Sequence, residues 1–556
     1  MLRRGLVLAL AVGLLPSVVG AASPKLVVLI AVDQLRRDRL DTALPGGLGR
    51  LMREGHVFRG AALEHAATET CPGHASMLSG RHPGSVGIPG NTYIDVRTGA
   101  RRYCVEDRAA DASVLGGGKE PEDGRSPRTL RFDSLGDWLK AADPQARVFS
   151  VSAKDRSAIV LGGRRPDAAY WMVLDRPPIF TTSRYYRDAL PEWVVEFNRP
   201  EAGGLASRVP SDWAHATKAL PGKPERVDDF RGESEERSRT SPHPLHAAEA
   251  EDFAGNLYRS PYLDILTLDF ARTLVEQEGL GTREGPDLLA LSLSATDTVG
   301  HAYGPGSLEA HDALARLDAA LGEFLRFLES RVGKQQILVA LTADHGVLPL
   351  PEWLEETAAL ECPHAGGRQG LLWFILRFYA ELHFELSPFS WPRLWVNAAS
   401  QLTVDRELAA ARGVPVERVV EVAERWLERQ AVIREAWTRE EILRGEDDFA
   451  RLYRNSFDPE RSGDLAIQTE PTCLLDFQGA GTTHGSPYEY DRNVPMIFWG
   501  PGIAARSSSG PAATIDIAPT LAARIGLLPP GDLDGRNLLP ADSLPDAEVG
   551  TKRGRE

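Results

Sequence analysis

The chain has fewer basic than acidic residues, and this deficit argues against polyanionic partners. Its 556 residues carry 63 Lys and Arg against 78 Asp and Glu, which gives a formal net charge of −15. Binding to nucleic acid or to an anionic membrane surface needs an excess of Lys and Arg, so we expect no nucleic-acid partner. An anionic small molecule such as a phosphate would require a locally positive site, for example one built by metal ions.

Cysteine is also scarce. The chain has four cysteines, and none of them forms a C-x-x-C pair: Cys71, Cys104, Cys362 and Cys473. A cysteine-based zinc site therefore has no support. If the protein is exported, four cysteines permit two disulfides, and the sequence leaves all three possible pairings open.

The apolar stretch at the N-terminus is short. In MLRRGLVLALAVGLLPSVVGAAS, Arg3 and Arg4 precede an apolar run that Pro16 interrupts, and small residues follow at 20–22. A membrane span needs ~20 consecutive apolar residues. A signal peptide over residues 1–22 is therefore favoured over the alternative, a transmembrane anchor. We expect a periplasmic or secreted protein without a stable membrane anchor.

Near-continuous apolar runs alternate with helical patterns along the chain. The runs lie at 25–33, 147–155, 286–297, 335–346 and 494–502. Leucines at helical spacing between residues 314 and 328 mark one of the helices. Strands that are apolar throughout are buried on both faces, so the pattern predicts an α/β fold with a doubly covered, mostly parallel central sheet.

Two stretches interrupt this alternation, and we interpret both as large insertions. The first, at about 166–255, combines aromatic residues and prolines with a charged segment. The second, at about 349–480, combines an aromatic-rich segment with charged helical pieces. We predict one catalytic domain over 23–545 that carries both insertions, and a disordered tail at 546–556. We expect a monomer.

Polar side chains lie at or just beyond the ends of four predicted strands: Asp33, Lys154, Asp297 and Asp344. The carboxyl ends of parallel strands meet at one edge of a sheet, and α/β sites lie there. A single Asp in this position is ordinarily the N-cap of the next helix. Four polar groups on separate strands favour a common site.

Histidines accompany these carboxylates. Asp297 and His301 are four residues apart, which places them on one face of a helix. Asp344 and His345 are adjacent, and His484 lies in a Gly-rich loop before another apolar run. With Asp33, the set provides three ligands for each of two metal ions. Mixed His and Asp ligands suit zinc with an open position for substrate, manganese remains open, and calcium would prefer oxygen ligands. Each His alone is equally compatible with an ordinary hydrogen-bonded residue.

The segment ATETCPGHASMLSGRHPG at 67–84 contains several groups able to act as nucleophile or ligand: Thr68, Thr70, Cys71, His74 and Ser76. The segment alone does not choose among them. Two divalent cations, three Asp and one metal-bound threonine alkoxide would give a nearly neutral site. Lys154 and Arg156 in AKDR would then favour a dianion such as a phosphate monoester over a monoanionic diester. The alternative is a solvated pair of basic residues at a strand end.

Together, these motifs resemble the alkaline phosphatase superfamily and, within it, the type I phosphodiesterase/nucleotide pyrophosphatase-like branch. The resemblance spans about residues 25–545, and these motifs carry it: VDQLRRDRL, TETCPGHASMLSGRHPGSVGIPGN, AKDR, SATDTVGHAYGP, LTADHG and HGSPYEYDRNVPMIFWGPGI. Within that branch the chain is most similar to the exported bacterial alkaline phosphatases that use a threonine nucleophile.

The resemblance implies which residues do what. Thr70 would be the nucleophile and touch one Zn²⁺, whose other ligands would be Asp33, Asp344 and His345. Asp297, His301 and His484 would bind a second Zn²⁺. Asn91, Lys154 and Arg156 would contact the phosphate. The implied reaction is hydrolysis of small-molecule phosphate monoesters through a phospho-threonine. Cys71 would then be disulfide-bonded or packed, and His74 would be a supporting hydrogen-bond partner.

Three alternatives remain. The nearest is a phosphodiesterase or nucleotide pyrophosphatase on the same scaffold, although such relatives generally lack the Lys-x-Arg pair. A sulfatase would need C-x-P-x-R to make formylglycine, and CPGHA lacks the Arg. A non-enzymatic exported metal-binding or adhesion protein would not need the complete set of ligands and nucleophile.

Overall fold

The computed structural model describes residues 23–116, 124–174, 177–199, 203–215, 225–234, 238–246, 250–386, 394–396, 401–476 and 479–540. The predicted signal peptide at 1–22 and the predicted tail at 546–556 lie outside the described residues. Over the ranges given, no helix has both the length and the apolar character needed to cross a bilayer.

The strands are, in chain order, β1 (Leu26–Val32), β2 (His56–Ala62), β3 (Thr92–Ile94), β4 (Arg101–Tyr103), β5 (Val148–Ser152), β6 (Ala168–Val173), β7 (Ile179–Thr181), β8 (Asp212–Trp213), β9 (His243–Pro244), β10 (Asp287–Leu293), β11 (Ile337–Thr342), β12 (Arg368–Gly370), β13 (Leu394–Val396), β14 (Gln401–Val404), β15 (Ile433–Thr438), β16 (Leu465–Thr469), β17 (Leu474–Asp476), β18 (Met496–Trp499) and β19 (Arg506–Ala513).

The helices are, in chain order, α1 (Gly47–Glu54), α2 (Thr70–Ser79), α3 (Pro83–Val86), α4 (Leu135–Ala142), α5 (Asp155–Gly162), α6 (Glu192–Phe197), α7 (Ala250–Tyr258), α8 (Tyr262–Gln277), α9 (Ala295–Tyr303), α10 (Leu308–Val332), α11 (Pro351–Glu356), α12 (Leu371–Leu386), α13 (Arg406–Ala411), α14 (Val416–Leu427), α15 (Arg439–Arg444), α16 (Asp448–Ser456), α17 (Glu489–Arg492) and α18 (Ile517–Arg524).

A nine-stranded sheet in the order β19-β2-β18-β11-β1-β10-β5-β6-β7 forms the centre of the protein. The central neighbours β11, β1, β10 and β5 all run parallel, as do the pairs β5–β6 and β19–β2. The pairs β11–β18, β18–β2 and β6–β7 are antiparallel. The prediction of an α/β fold with a mostly parallel central sheet is confirmed.

Strand β1 shows how the sheet is covered on both faces. Its residues alternate between two apolar clusters, with Leu26, Val28 and Ile30 in one and Val27, Leu29 and Ala31 in the other. The first cluster includes residues of α8 and α10, and the second includes residues of α4 and α18. Each fully buried Leu or Ile contributes about 1.5–3 kcal/mol, so every position of the strand stabilises the fold.

The first predicted insertion begins inside the central sheet. Residues 168–173 and 179–181 are the strands β6 and β7, and β6 pairs with β5. The aromatic run AAYWMV lies within the predicted insertion, but the structure buries it as a strand of the central sheet. The described residues that follow leave the sheet after β7 and include the short antiparallel strand pair β8–β9 and helices α6 to α8.

The second predicted insertion has a small apolar core of its own. Strands β13, β14, β16 and β15 form a four-stranded antiparallel sheet, and α12 and α14 contribute to the same apolar cluster. The rings of Phe374 and Phe378 on α12 lie 5.0 and 5.2 Å from the ring of Trp426 on α14. Helix α12 therefore buries one face against protein, whereas Leu372, Trp373, Leu376 and Phe384 on the same helix are exposed.

The four cysteines pair as Cys71–Cys104 and Cys362–Cys473. The first disulfide fixes the first turn of α2 to the residue after β4. The second closes a stretch with a sequence separation of 111 residues within the second insertion. One of the three pairings that the sequence left open is thereby selected.

Candidate active site

Four strands deliver the predicted polar residues to one edge of the sheet. Asp33 directly follows β1, Lys154 lies two residues after β5, Asp344 lies two residues after β11, and Asp297 lies in the first turn of α9 after β10. Because these four strands are adjacent and parallel, their carboxyl ends converge. All four side chains are buried, and burial of charge requires partners of opposite sign or bound ions.

Thr70 is the first residue of α2, at the same edge. It is 1% exposed, and its Oγ1 lies 3.5 Å from Nη2 of Arg156. The free N–H groups of a helix N-terminus favour an anion there. Gly73 lets this helix approach β11 closely, since a Cβ at that position would lie 2.2 Å from the carbonyl oxygen of Asp344.

The predicted ligands form two adjoining groups. Nε2 of His301 lies 3.1 Å from Oδ1 of Asp297, on one face of α9 as the spacing predicts, and Nε2 of His484 lies 3.7 Å from the same oxygen. In the other group, Nε2 of His345 lies 3.4 Å from Oδ1 of Asp33. The rings of His345 and His484 stack at 3.6 Å. His345 therefore lies between the two groups.

Backbone carbonyls orient all three imidazoles. Each ring donates Nδ1–H to a carbonyl oxygen: His301 to Thr482 at 2.7 Å, His484 to Thr68 at 2.6 Å and His345 to Gly346 at 3.0 Å. In the neutral form of each ring, Nε2 then faces the carboxylates with its lone pair. Metal-binding histidines show the same arrangement, because the second hydrogen bond fixes the ring.

The residues fit a metal centre. The ligand atoms of Asp33, Asp344 and His345 all lie within 4.8 Å of one another, and so do those of Asp297, His345 and His484. Oδ1 of Asp33 and Nε2 of His345 are buried and make no hydrogen bond to any described residue. Buried donors and acceptors are ordinarily satisfied, so a cation is the partner that this donor set suits.

Lys154 already neutralises part of this negative charge. Its Nζ lies 2.5 Å from Oδ2 of Asp33 and 2.5 Å from Oδ2 of Asp297, one carboxylate from each group. Despite burial, which disfavours the charged amine, these two carboxylates raise the pKa of Lys154 above its ordinary value. Lys154 thus stays protonated and connects the two groups.

The three carboxyl groups differ in pKa. Burial and the charges of Asp297 and Asp344 raise the pKa of Asp33 well above its usual range. Burial also acts on Asp297, but His301 and Lys154 outweigh it and hold the pKa of that carboxyl well below its usual range. Two neighbouring imidazoles likewise outweigh burial and lower the pKa of Asp344. Bound cations would lower the pKa of Asp33 as well.

His484 is held in the neutral, ligand-competent form. Burial lowers its pKa well below the ordinary value, and the neighbouring rings of His345 and His301 lower it further. A neutral imidazole is the form that binds a metal ion. The structure therefore supplies His484 without the proton that a metal would have to displace.

Asn91 lies beside the N-terminus of α2. Its Oδ1 accepts the backbone N–H of Cys71 at 2.8 Å, and its own backbone N–H donates to Oε2 of Glu69 at 2.7 Å. Burial raises the pKa of Glu69 to about 6. With its oxygen engaged, the amide of Asn91 retains Nδ2–H donors for a ligand.

Three residues that the sequence motifs did not identify hold Arg156 in place. The hydroxyl of Tyr103 donates to Oδ1 of Asp155 at 2.6 Å, and Nε of Arg125 donates to Oδ2 of Asp155 at 2.6 Å. Nη1 of Arg156 lies 3.5 Å from the Tyr103 oxygen. Asp155 could have been found because it lies inside AKDR. Tyr103 and Arg125 lie in segments without a motif.

Two other neighbours support the carboxylates. Nδ1 of His74 lies 2.8 Å from the carbonyl oxygen of Thr70 and 3.1 Å from Oδ2 of Asp344, and its Nε2 lies 2.9 Å from Oγ of Ser292. This matches the supporting role predicted for His74. Nε2 of Gln34 donates to Oδ1 of Asp297 at 2.7 Å. Its only sequence signal was its place beside Asp33.

The second insertion supports the segment that leads to Thr70. Oγ of Ser456, at the end of α16, accepts the backbone N–H groups of Ala66 and Ala67, each at 3.0 Å. A cavity of about 460 Å³ opens over the site, and Arg156, Asp297 and His301 form part of its wall. Strand β17, from the same insertion, also lines this cavity. The insertion thus contributes both to the support of Thr70 and to the wall of the cavity.

Comparison with known proteins gives consistent matches over nearly the whole chain. The profile of the type I phosphodiesterase / nucleotide pyrophosphatase family matches residues 27–486. The chain is 33% identical to alkaline phosphatase PhoK of Sphingomonas sp over 542 residues, 94% of this chain and 92% of PhoK. It is 31% identical to a Myroides odoratus protein named calcium-transporting ATPase over 520 residues, 90% of this chain and 91% of that protein.

A solved structure shows the same architecture. The crystal structure of wild-type alkaline phosphatase PafA superposes with a TM-score of 0.85 at 28% identity, covering 93% of this chain and 99% of PafA. PafA is from Elizabethkingia meningoseptica. The helices and strands described above therefore share their arrangement with a structure of known enzyme class.

Proposed function

The chain belongs to the type I phosphodiesterase / nucleotide pyrophosphatase family, and we propose that it is an exported, zinc-dependent alkaline phosphatase that hydrolyses phosphate monoesters through a phospho-threonine at Thr70. Its enzyme class is phosphoric monoester hydrolase, the class of relatives named alkaline phosphatase. Two Zn²⁺, export to the periplasm or medium, and Thr70 as nucleophile belong to the proposal.

One observation carries the choice of monoesters. Arg156 lies 3.5 Å from the Thr70 hydroxyl, and Lys154 lies on the same edge between two carboxylates. A phosphate monoester is a dianion, whereas a diester carries a single charge. One cationic side chain beside the attacking oxygen and a second on the same edge of the sheet therefore favour the monoester.

Six side chains would hold the metal ions, three for each: Asp33, Asp344 and His345 for one, with Thr70 as an additional contact, and Asp297, His301 and His484 for the other. When bound, zinc supplies positive charge that stabilises phosphoryl oxygens and lowers the pKa of an oxygen nucleophile. The neutral His484 and the low pKa of Asp297 and Asp344 suit these roles.

The reaction follows from the placement of the other residues. Oγ1 of Thr70 gives its proton to solvent water and attacks phosphorus, the bond from phosphorus to the ester oxygen breaks, and the leaving alkoxide takes a proton from water to depart as the alcohol. Arg156 and the Nδ2–H groups of Asn91 hold phosphoryl oxygens during this step. Water then attacks the phospho-threonine, which releases inorganic phosphate and restores the hydroxyl.

The substrate class is tested by comparing kcat/KM for 4-nitrophenyl phosphate with that for its methyl diester on the zinc-loaded protein. We expect the monoester to be preferred by a large factor, because only the dianion matches both Lys154 and Arg156. A 4-nitrophenyl sulfate arm tests the same site with a monoanion. A higher kcat/KM for the diester would contradict the proposal and assign the chain to the phosphodiesterases.

Removal of metal should abolish activity and lower the melting temperature. A chelator would leave three buried carboxylates facing one another, and metal bound only to the folded state stabilises it, by about 2.7 kcal/mol at 100 times Kd. Activity and thermal unfolding are measured after dialysis against 1,10-phenanthroline, then after addition of Zn²⁺ or Mg²⁺. We expect Zn²⁺ to restore both the activity and the melting temperature. Full activity in the metal-free protein would contradict the proposed centre.

A further inference from the structure

A second cluster of metal-ligand side chains lies outside the site described above. His215 follows the short strand β8, His243 is the first residue of the paired strand β9, and Glu309 lies in the first turn of α10. One ligand atom from each lies within 4.8 Å of the other two. Oε1 of Glu309 lies 3.2 Å from Nε2 of His243 and 3.7 Å from Nε2 of His215.

These side chains are buried and poorly satisfied. The side chains of His215, His243 and Glu309 are 10%, 8% and 1% exposed. Both ring nitrogens of His215 and Oε2 of Glu309 are buried without a hydrogen bond to any residue in the described ranges. Buried polar atoms ordinarily have partners, so their convergence indicates a ligand that the three groups share.

The tautomer of His243 points to a cation. Its Nδ1 lies 3.1 Å from the backbone oxygen of Ser238 and donates its proton there, while the hydroxyl of Tyr303 donates to the same oxygen at 3.0 Å. In the neutral ring, Nε2 of His243 then faces Oε1 of Glu309 with its lone pair, so a metal ion or a second ring proton has to lie between the two atoms. Metal-binding histidines are held in this way.

Nearby arginines already pair with other acids. Nε of Arg226 lies 3.3 Å from Oε1 of Glu233, and Nε of Arg316 lies 2.6 Å from Oδ2 of Asp312. The described ion pairs of Glu309 are those with the two histidines.

We propose that His215, His243 and Glu309 bind a structural zinc ion separate from the catalytic centre. Two imidazoles and one carboxylate are a zinc-type donor set, and Oε2 of Glu309 offers a fourth donor. The ion joins the antiparallel strand pair β8–β9 to α10. It also lies near α9, the helix of Asp297 and His301, because the ring of Tyr303 at the end of α9 is 5.4 Å from that of His243. The ion would therefore connect α10 to the surroundings of α9, which forms part of the wall of the catalytic cavity.

Zinc content per chain tests this site. Wild type, Glu309→Gln and His215→Gln are equilibrated with Zn²⁺ as the sole added metal, dialysed, and measured by plasma mass spectrometry. Each variant should hold one zinc per chain fewer than wild type and melt at a lower temperature. His246→Gln is the matched control, because this exposed histidine binds a backbone carbonyl near the cluster but contributes no ligand. It should keep the wild-type zinc content.

Equal zinc content in wild type and both variants would overturn the proposal and assign the cluster to a protonated His243 paired with Glu309. If Glu309→Gln does not yield folded protein, His215→Gln decides, because its side chain lies at the edge of the cluster. The inference does not rest on the proposed function. An absence of catalytic zinc would lower the content of every sample equally and leave the difference of one ion between wild type and the variants.

Discussion

Replacing Thr70 by alanine should lower kcat for a phosphate monoester by about 1,000-fold or more, because the variant has no hydroxyl to attack phosphorus. The change removes few atoms from a site in which residue 70 is 1% exposed, so the fold should remain intact. Arg156 and the six proposed zinc ligands stay in place. Turnover of 4-nitrophenyl phosphate and zinc content, measured on the same preparation, separate loss of the nucleophile from loss of metal.

Two further variants and a labelling experiment make this result specific. Thr70→Ser keeps a hydroxyl at the same position and should retain measurable turnover. Acid quenching of the wild type during turnover should leave a phosphoryl label on the peptide that contains residue 70. Ser76→Ala removes another hydroxyl of α2, one that donates to the carbonyl oxygen of Gly73, and should keep that label. Near-normal activity of Thr70→Ala, or a label on another peptide, would contradict the assignment.

Local patterns were sufficient for much of the fold. The strands β1, β10 and β11 are buried at every position, as their continuous apolar sequences predict. The four-residue spacing of Asp297 and His301 required only that the segment be helical, and α9 meets that condition. These properties depend on neighbours in the sequence, so they could be predicted without the rest of the chain.

Strand direction could not be predicted in the same way. His484 precedes β18, whereas Asp33 and Asp344 follow their strands, so an entirely parallel sheet would place His484 at the opposite edge. Strand β18 is antiparallel to β11, and Met496 at its start pairs with Thr342 at the end of β11. This reversal brings His484 to the carboxylates. An apolar run carries no signal for its direction in the sheet.

The choice among the candidate nucleophiles also needed more than the local segment. The resemblance pointed to Thr70, and long-range contacts now account for the others. Cys71 is bonded to Cys104, the ring of His74 contacts Asp344 and Ser292, and the hydroxyl of Thr68 donates to the carbonyl oxygen of Ser486 at 2.9 Å. Most of these partners are distant in sequence. The residues His215, His243 and Glu309 are also far apart in the sequence, so no local pattern predicts their cluster.

Replacing Arg156 by alanine should lower kcat/KM for a phosphate monoester by about 10- to 100-fold, because a hydrogen bond to a charged group contributes about 1.5–3 kcal/mol. The methyl diester of the same alcohol should lose less, since its single charge makes less use of the guanidinium. The ratio of kcat/KM for the monoester to kcat/KM for the diester should therefore fall. Arg156→Lys keeps the charge but loses the planar fork and should give an intermediate ratio.

Lys154→Ala should also lower the ratio of kcat/KM for the monoester to that for the diester. Lys154 has a second role, because it also pairs with two of the proposed metal ligands. Nζ of Lys154 pairs with Asp33 and Asp297, so its removal frees both carboxylates and should not reduce zinc binding. Zinc content therefore separates loss of a phosphate contact from loss of metal. Arg259→Ala is the matched control, because Arg259 lines the same cavity and has no proposed phosphate contact. If Arg156→Ala and Lys154→Ala lowered kcat/KM by the same factor for the monoester and the diester, the assigned preference would be contradicted. The two cationic side chains would then not distinguish a dianion from a monoanion and could not select the monoester.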